Sequence, residues 1–120
     1  MIGYRISGND VLVILRKLTK RDFSNDHSIM KLVDLYNIDD TILDKCNVVY
    51  FNSPNSFPGE DVCEIYIHGS TLIAIQLEQA FKDFDIPGLR LAHKGEFSFR
   101  SVLHNKYSLK QAKAINLIIN

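Results

Sequence analysis

The sequence predicts an α+β domain built on a mixed β-sheet with flanking helices. Three observations lead there. Runs that alternate at a period of two, such as M-I-G-Y-R-I-S and V-C-E-I-Y-I, are interleaved with runs whose apolar residues recur at helical spacing. Two neighbouring strand-like runs early in the chain are joined by a short polar turn, the mark of an antiparallel hairpin. Finally, 120 residues, 46% hydrophobic and 23% charged, suit one domain that buries a core without a disulfide or metal staple. A hairpin among alternating strands and helices makes a mixed sheet rather than a doubly wound parallel one.

Residues 1–7 read as a strand, with Ile2, Tyr4 and Ile6 on one side and Gly3, Arg5 and Ser7 on the other. Ser7-Gly8-Asn9-Asp10 breaks it and offers helix caps. A helix over 11–18 places Val11, Ile14, Leu15 and Leu18 on one face. Arg16, Lys17, Lys20 and Arg21 favour its C-terminal end through the helix dipole. Residues 20–27 are a polar loop. Residues 28–36 and 41–51 form the hairpin, turning at Asn37-Ile38-Asp39-Asp40.

Residues 53–59, S-P-N-S-F-P-G, form a turn fixed by two prolines and a glycine, and residues 61–68 form the next strand. A helix over 70–84 buries Ile73, Leu77, Ala80, Phe81 and Phe84, and Asp85-Ile86-Pro87-Gly88 ends it. A short strand at 89–92, a turn at 93–96 and a short helix at 97–104 follow. A last helix over 108–119 is opened by the capping box Ser108-x-x-Gln111, with Leu109, Ala112, Ile115, Ile118 and Ile119 on its apolar face.

Composition narrows function more than it defines it. A formal net charge of +0 argues against a domain devoted to gripping phosphate backbone. Cys46 and Cys63 have no C-x-x-C spacing and no histidine at ligand distance in sequence, so both read as small apolar core residues. No apolar run approaches the ~20 residues of a membrane span, and no signal-peptide pattern opens the chain, so the expected location is intracellular. Phosphate-loop, dinucleotide-fold and nucleophile-elbow motifs are all missing from the sequence.

The stretch that carries chemistry is 51–69, F-N-S-P-N-S-F-P-G-E-D-V-C-E-I-Y-I-H-G. Alternation puts Val62, Glu64 and Tyr66 on one side of a strand and Cys63, Ile65 and Ile67 on the other. A mid-strand carboxylate is either an acid on a half-solvated face or a group facing a pocket, where its two oxygens match a ligand edge with two parallel N–H donors. Arg5 either meets an anionic group or pairs with a nearby acid, and Lys106 has the same two options. His27, His93 and His104 read as turn or surface residues. His68, at a strand-to-helix switch beside Gly69, stands open between that and a ligand-facing role.

Three stretches of the chain, in order, resemble one family. P-N-S-F-P-G-E-D-V-C-E-I-Y-I-H-G is similar to P-x-S-F/Y-T-G-E-D-x-x-E-I/L-x-x-H-G-G of the N-terminal domain of the bacterial tRNA uridine-modifying GTPase MnmE, also called TrmE. L-R-L-A-H-K-G-E-F-S-F-R-S-V-L-H-N-K-Y-S-L-K-Q-A-K-A-I is similar to that family's R-x-A-x-P-G-E-F block, and Tyr4-Arg5-Ile6-Ser7-Gly8 to its arginine motif. Departures are Pro58 for a threonine, Ser70 for the second glycine, Lys94 for a proline and Asn105 for a glycine or acid.

The resemblance implies a fold similar to the folate-binding domain of glycine-cleavage aminomethyltransferase, with homodimerisation through this domain. It implies that a reduced folate, 5-formyl-tetrahydrofolate or 5,10-methylene-tetrahydrofolate, is held at Arg5, Glu64 and Lys106. It further implies a cytoplasmic role in tRNA wobble-uridine modification beside an MnmG-type flavoprotein, with tRNA engaged indirectly and no membrane involved. Compared with the family pattern, residues 1–120 are expected to be the N-terminal domain with its first strand shortened and the helical and G domains absent. GTP, magnesium and potassium then belong to the full-length family, and no GTPase activity is expected of this chain alone. The alternative is an assembly-only domain that has lost the folate site, the apolar face of its last helix covered by a partner.

Overall fold

The computed structural model describes residues 2–52, 60–86, 88–91 and 114–119. The predicted turn at 53–59, the turn at 93–96, the helix at 97–104 and Lys106 lie outside them.

Among the described residues the elements follow in the order β1 (Ile2–Gly8), α1 (Val11–Thr19), β2 (Lys31–Tyr36), β3 (Ile42–Phe51), β4 (Val62–Ile67), α2 (Thr71–Asp83), β5 (Arg90–Leu91) and β6 (Ala114–Ile119). The strands make one sheet in the order β2-β3-β4-β1-β6-β5. Every pairing is antiparallel except that of β1 with β6, so the sheet is mixed, as the hairpin pattern requires. The first strand of the chain is an inner strand, flanked by β4 and β6.

Alternation assigns the two faces. Tyr4, Ile6, Val33, Leu35, Cys46, Val48, Tyr50, Cys63, Ile65, Ile67 and Leu117 form the face under the helices. Val11, Ile14, Leu15 and Leu18 of α1 pack there, with Ala74, Leu77, Ala80 and Phe81 of α2. Tyr4 meets Phe81 edge to face, ring centroids 6.2 Å apart. Each fully buried aliphatic side chain of this layer contributes roughly 1.5–3 kcal/mol of transfer free energy. In α2 the stripe is rotated slightly from the one expected: Ala74 is buried, while Ile73 and Phe84 are only partly covered.

The helix caps work through backbone rather than side chains. Asp10 and Ser70 stand at the N-cap positions without a side-chain cap bond, and their carbonyls accept the N–H groups of Ile14 and Ala74. Gly8 (φ 142°) takes a backbone conformation open mainly to glycine, and its N–H donates to the Asp61 carbonyl at 2.9 Å. At the hairpin, Asp39 accepts both the N–H and the hydroxyl of Thr41, and Asp40 (φ 67°) turns the chain.

Two expectations are corrected. The hairpin's first strand begins at Lys31, not at residue 28. Ser28 has φ 60°, and its N–H donates to the Tyr50 carbonyl at 2.7 Å, so the chain bends before pairing starts.

The larger correction is at the end of the chain: residues 114–119 are a strand, not the last turns of a helix. A-I-N-L-I-I satisfies helical spacing at Ile115, Ile118 and Ile119, but it carries no charged face to turn to solvent and is rich in β-branched residues. Between β1 and β5 it is covered on both sides, Leu117 (6% exposed) joining the helix-side core and Ile118 (0%) the opposite face. The apolar helix face expected to be covered by a partner is therefore, in its described part, sheet interior.

Cys46 and Cys63 are both buried and free. Burial, with Asp44 nearby, pushes the Cys46 thiol up to about 12, and burial beside Glu64 raises Cys63 further. We predict that neither thiol reacts with an aromatic disulfide reagent in the native protein at pH 8, and that labelling tracks unfolding in urea. Fast labelling without denaturant would contradict this packing.

Candidate functional site: a buried arginine–glutamate pair

The second face of the sheet is also covered at its centre. Val49, Val62 and Ile118 are buried on it, and so are Arg5 (5% exposed), Ser7 (0%) and Glu64 (4%). The possibility of an acid on a half-solvated face is thus ruled out.

Strand register assembles the site. Arg5 pairs across from Glu64, Glu64 from Val49, and Arg5 from Asn116 on its other side. Residues opposite one another share a face, so Val49, Glu64, Arg5 and Asn116 form one row across β3, β4, β1 and β6. Within it Arg5 Nε donates to Glu64 Oε2 at 2.9 Å. The other carboxylate oxygen, Oε1, accepts the hydroxyl of Tyr66, two residues along the same strand and hence on the same side.

Both oxygens of Glu64 are therefore engaged by the protein's own donors. Removing two charges from water is costly, and a geometry of this quality is what offsets it. Burial, then the bond to Glu64, raises the Tyr66 phenol well above its ordinary value.

Beside the pair, Ser7 Oγ and Asn116 Oδ1 are buried without a hydrogen-bond partner. Such atoms are uncommon in native interiors and each carries a desolvation penalty of roughly 1–3 kcal/mol. Ser7 lies two residues from Arg5 on the same face, and Asn116 is Arg5's register partner. The row and its same-face neighbours Tyr66 and Ser7 thus bring an ion pair, a phenol, a hydroxyl and an amide oxygen together on one face of the sheet.

One register step away, Leu32, Asn47, Tyr66 and Gly3 form the adjacent row. A depression of about 210 Å³ lies there, lined by Leu32, Lys45, Asn47, Tyr66, His68 and Gly69. Tyr66 thus belongs to its wall while its hydroxyl reaches Glu64. At its rim the Asp44 carboxylate accepts the His68 backbone N–H at 3.2 Å and meets the ring Nδ1 at 3.0 Å. His68 is accordingly an exposed ring clasped to β3 through Asp44. A larger hollow of about 330 Å³ lies under α2, where Tyr4 donates to Glu78 at 2.9 Å beside Lys82 and Leu89. Among the described residues no cluster of three His, Cys, Asp or Glu side chains suits a metal ion, and no helix is long and apolar enough to cross a membrane.

Of the expected site residues, Arg5 and Glu64 come together, and Lys106 lies outside the described residues. Sequence reasoning passed over Tyr66, although its i+2 relation to Glu64 was available. It missed Asn116 because a helix was expected there. Asp44 had no local signal, since its partner His68 is 24 residues away.

Two predictions follow from this geometry. Arg5→Ala and Glu64→Ala each leave an uncompensated buried charge, so each lowers stability by about 3–5 kcal/mol in urea denaturation, far less than additively when combined. Tyr4 and Tyr66 both have phenols raised by burial first and by a carboxylate second. The unfolded chain therefore sheds these protons first. Their stabilisation is complete below the ordinary value of 10 and declines as pH rises beyond it, toward the folded values. Denaturation midpoints read against pH, with tyrosinate absorbance in parallel, check the sign.

Residues 2–106 match the family model described as the GTP-binding protein TrmE N-terminus. A protein from Francisella philomiragia, named tRNA modification GTPase MnmE, is 43% identical over 116 residues, covering 97% of this chain and 24% of the relative. Its namesakes from Rickettsia bellii (42% over 118 residues, 98% of this chain, 26% of the relative) and Helicobacter pylori (43% over 117 residues, 96% and 24%) are similar to the same extent. The chain spans about a quarter of the length of these relatives. With the expected motif blocks on β1 and β4 and its charged motif residues paired at the centre of a mixed sheet, the chain belongs to the family of the N-terminal domain of the tRNA modification GTPase MnmE, or TrmE.

Proposed function

We propose that this chain binds a reduced folate, 5-formyl- or 5,10-methylene-tetrahydrofolate, and dimerises as the N-terminal module of a cytoplasmic GTPase that modifies the wobble uridine of tRNA. The supporting observation is the row itself: Glu64 held against Arg5 in a covered layer, with Ser7 Oγ and Asn116 Oδ1 unpartnered beside it. A pterin ring presents an edge of N–H donors and ring nitrogens, and this row holds acceptors and a cation, groups complementary to such an edge. When bound, the folate supplies the one-carbon unit. The chain's own residues bind and orient it: Glu64 accepts from the heterocycle, Arg5 fixes the carboxylate, and Lys106 neutralises an anionic group. GTP hydrolysis, tRNA and an MnmG-type flavoprotein partner belong in this reading to the longer assembly. The chain itself carries no G-x-x-x-x-G-K-S/T motif.

A second reading rests on a specific observation. Both Glu64 oxygens already have donors, so the pair also suits a purely structural bolt in an assembly-only domain. Exposed Leu32 and Ile42 on the β2–β3 side then belong to a contact surface.

Thermal unfolding separates the two. The folate reading predicts that 5-formyl-tetrahydrofolate at about 100 times its dissociation constant stabilises the protein by about 2.7 kcal/mol, and that Glu64→Gln, which keeps the shape but not the charge, removes most of that gain. A folded protein whose melting temperature ignores the ligand supports the assembly-only reading.

A further inference from the structure

The Tyr66 hydroxyl sits where a ligand donor would sit. Glu64 Oε2 is taken by Arg5 and Oε1 by Tyr66, so a ligand edge with two N–H donors meets a carboxylate that is already satisfied. Both donors stand on inner strands, but the Arg5 side chain is 6% exposed, whereas Tyr66 is only half-buried and forms part of the wall of the 210 Å³ depression. Across from Tyr66 on β1 stands Gly3, which offers no side chain to block the ring's path. Of the two donors on Glu64, the phenol is therefore the one with room to leave.

Resting on the folate reading, we propose that Tyr66 is a positioning residue that sets ligand affinity by competing for Glu64. In the unliganded protein its hydroxyl holds Oε1 in place of an amidine-type N–H. A ligand carrying a 2-amino-4-oxo edge displaces the phenol toward the depression and inherits its hydrogen bond. Arg5 keeps Oε2, so a single ligand N–H suffices to replace the phenol on Oε1, and the second N–H of an amidine edge adds a bond at the remaining lone pair of Oε2. The exchange is non-covalent and moves no proton between heavy atoms.

The test compares the 120-residue chain with Tyr66→Phe, using isocytosine as the two-donor probe and pyrimidin-4-one, which lacks the 2-amino group, as the one-donor probe, both followed by amide-detected NMR titration. Tyr66→Phe is expected to bind isocytosine roughly tenfold more tightly, the ratio corresponding to one lost competing hydrogen bond to a charged group, and pyrimidin-4-one, whose ring N–H also replaces the phenol on Oε1, gains by a similar factor. Adding Glu64→Gln to either background is expected to abolish the isocytosine response. Equal or weaker isocytosine binding by Tyr66→Phe overturns the proposal, as does weaker pyrimidin-4-one binding or no response to either probe. Parallel titration with 5-formyl-tetrahydrofolate separates this idea from the reading beneath it. If the folate fails to bind but the isocytosine order holds, Tyr66 competes and the folate reading falls. If folate binds through Glu64 while Tyr66→Phe changes nothing, the reading stands and the competition does not.

Discussion

A pair of opposite charges locked between two inner strands constrains much of this molecule. Arg5 and Glu64 face each other across β1 and β4, 2.9 Å apart and nearly closed to solvent. A one-residue slip of either strand would carry its charged side chain into the apolar layer under the helices, among Ile6, Cys63 and Ile65. Apolar packing on one face and the ion pair on the other thus select the same register. The hydrophobic layer is the larger stabilising term; the pair contributes specificity.

That constraint also explains why the polar groups collect where they do. β1 is flanked by β4 on one side and β6 on the other, so a single residue on it reaches partners from both. Arg5 is such a residue, in register with Glu64 and Asn116 at once. Ser7, two residues on, lies on the same covered side. An inner strand gathers chemistry from distant parts of the chain: Arg5 and Glu64 are 59 residues apart in sequence.

The two faces then divide the work. The helix-side layer is largely apolar, and the Tyr4 hydroxyl in it is partnered by Glu78. The opposite layer mixes valine and isoleucine with charged and amide groups, and a depression opens beside it at the Leu32–Asn47–Tyr66 row. Tyr66 belongs to both places, its ring in the wall and its hydroxyl on the carboxylate. An acid satisfied from within needs no further donor to offset its burial.

Local patterning determined the α+β class, α1 and α2, the central hairpin and the face on which Arg5 and Glu64 each lie, because periods of 2 and 3.6 are properties of neighbouring residues. It left the last segment undecided, since A-I-N-L-I-I fits both periods over six residues, and only a slot between β1 and β5 with cover on both sides makes it a strand. It left the partners undecided too: Glu64 with Arg5, Asp44 with His68 and Tyr4 with Glu78 are separated by 59, 24 and 74 residues. Which side of a strand a residue occupies follows from its immediate neighbours, but what it touches there depends on strand order and register, which belong to the folded chain as a whole.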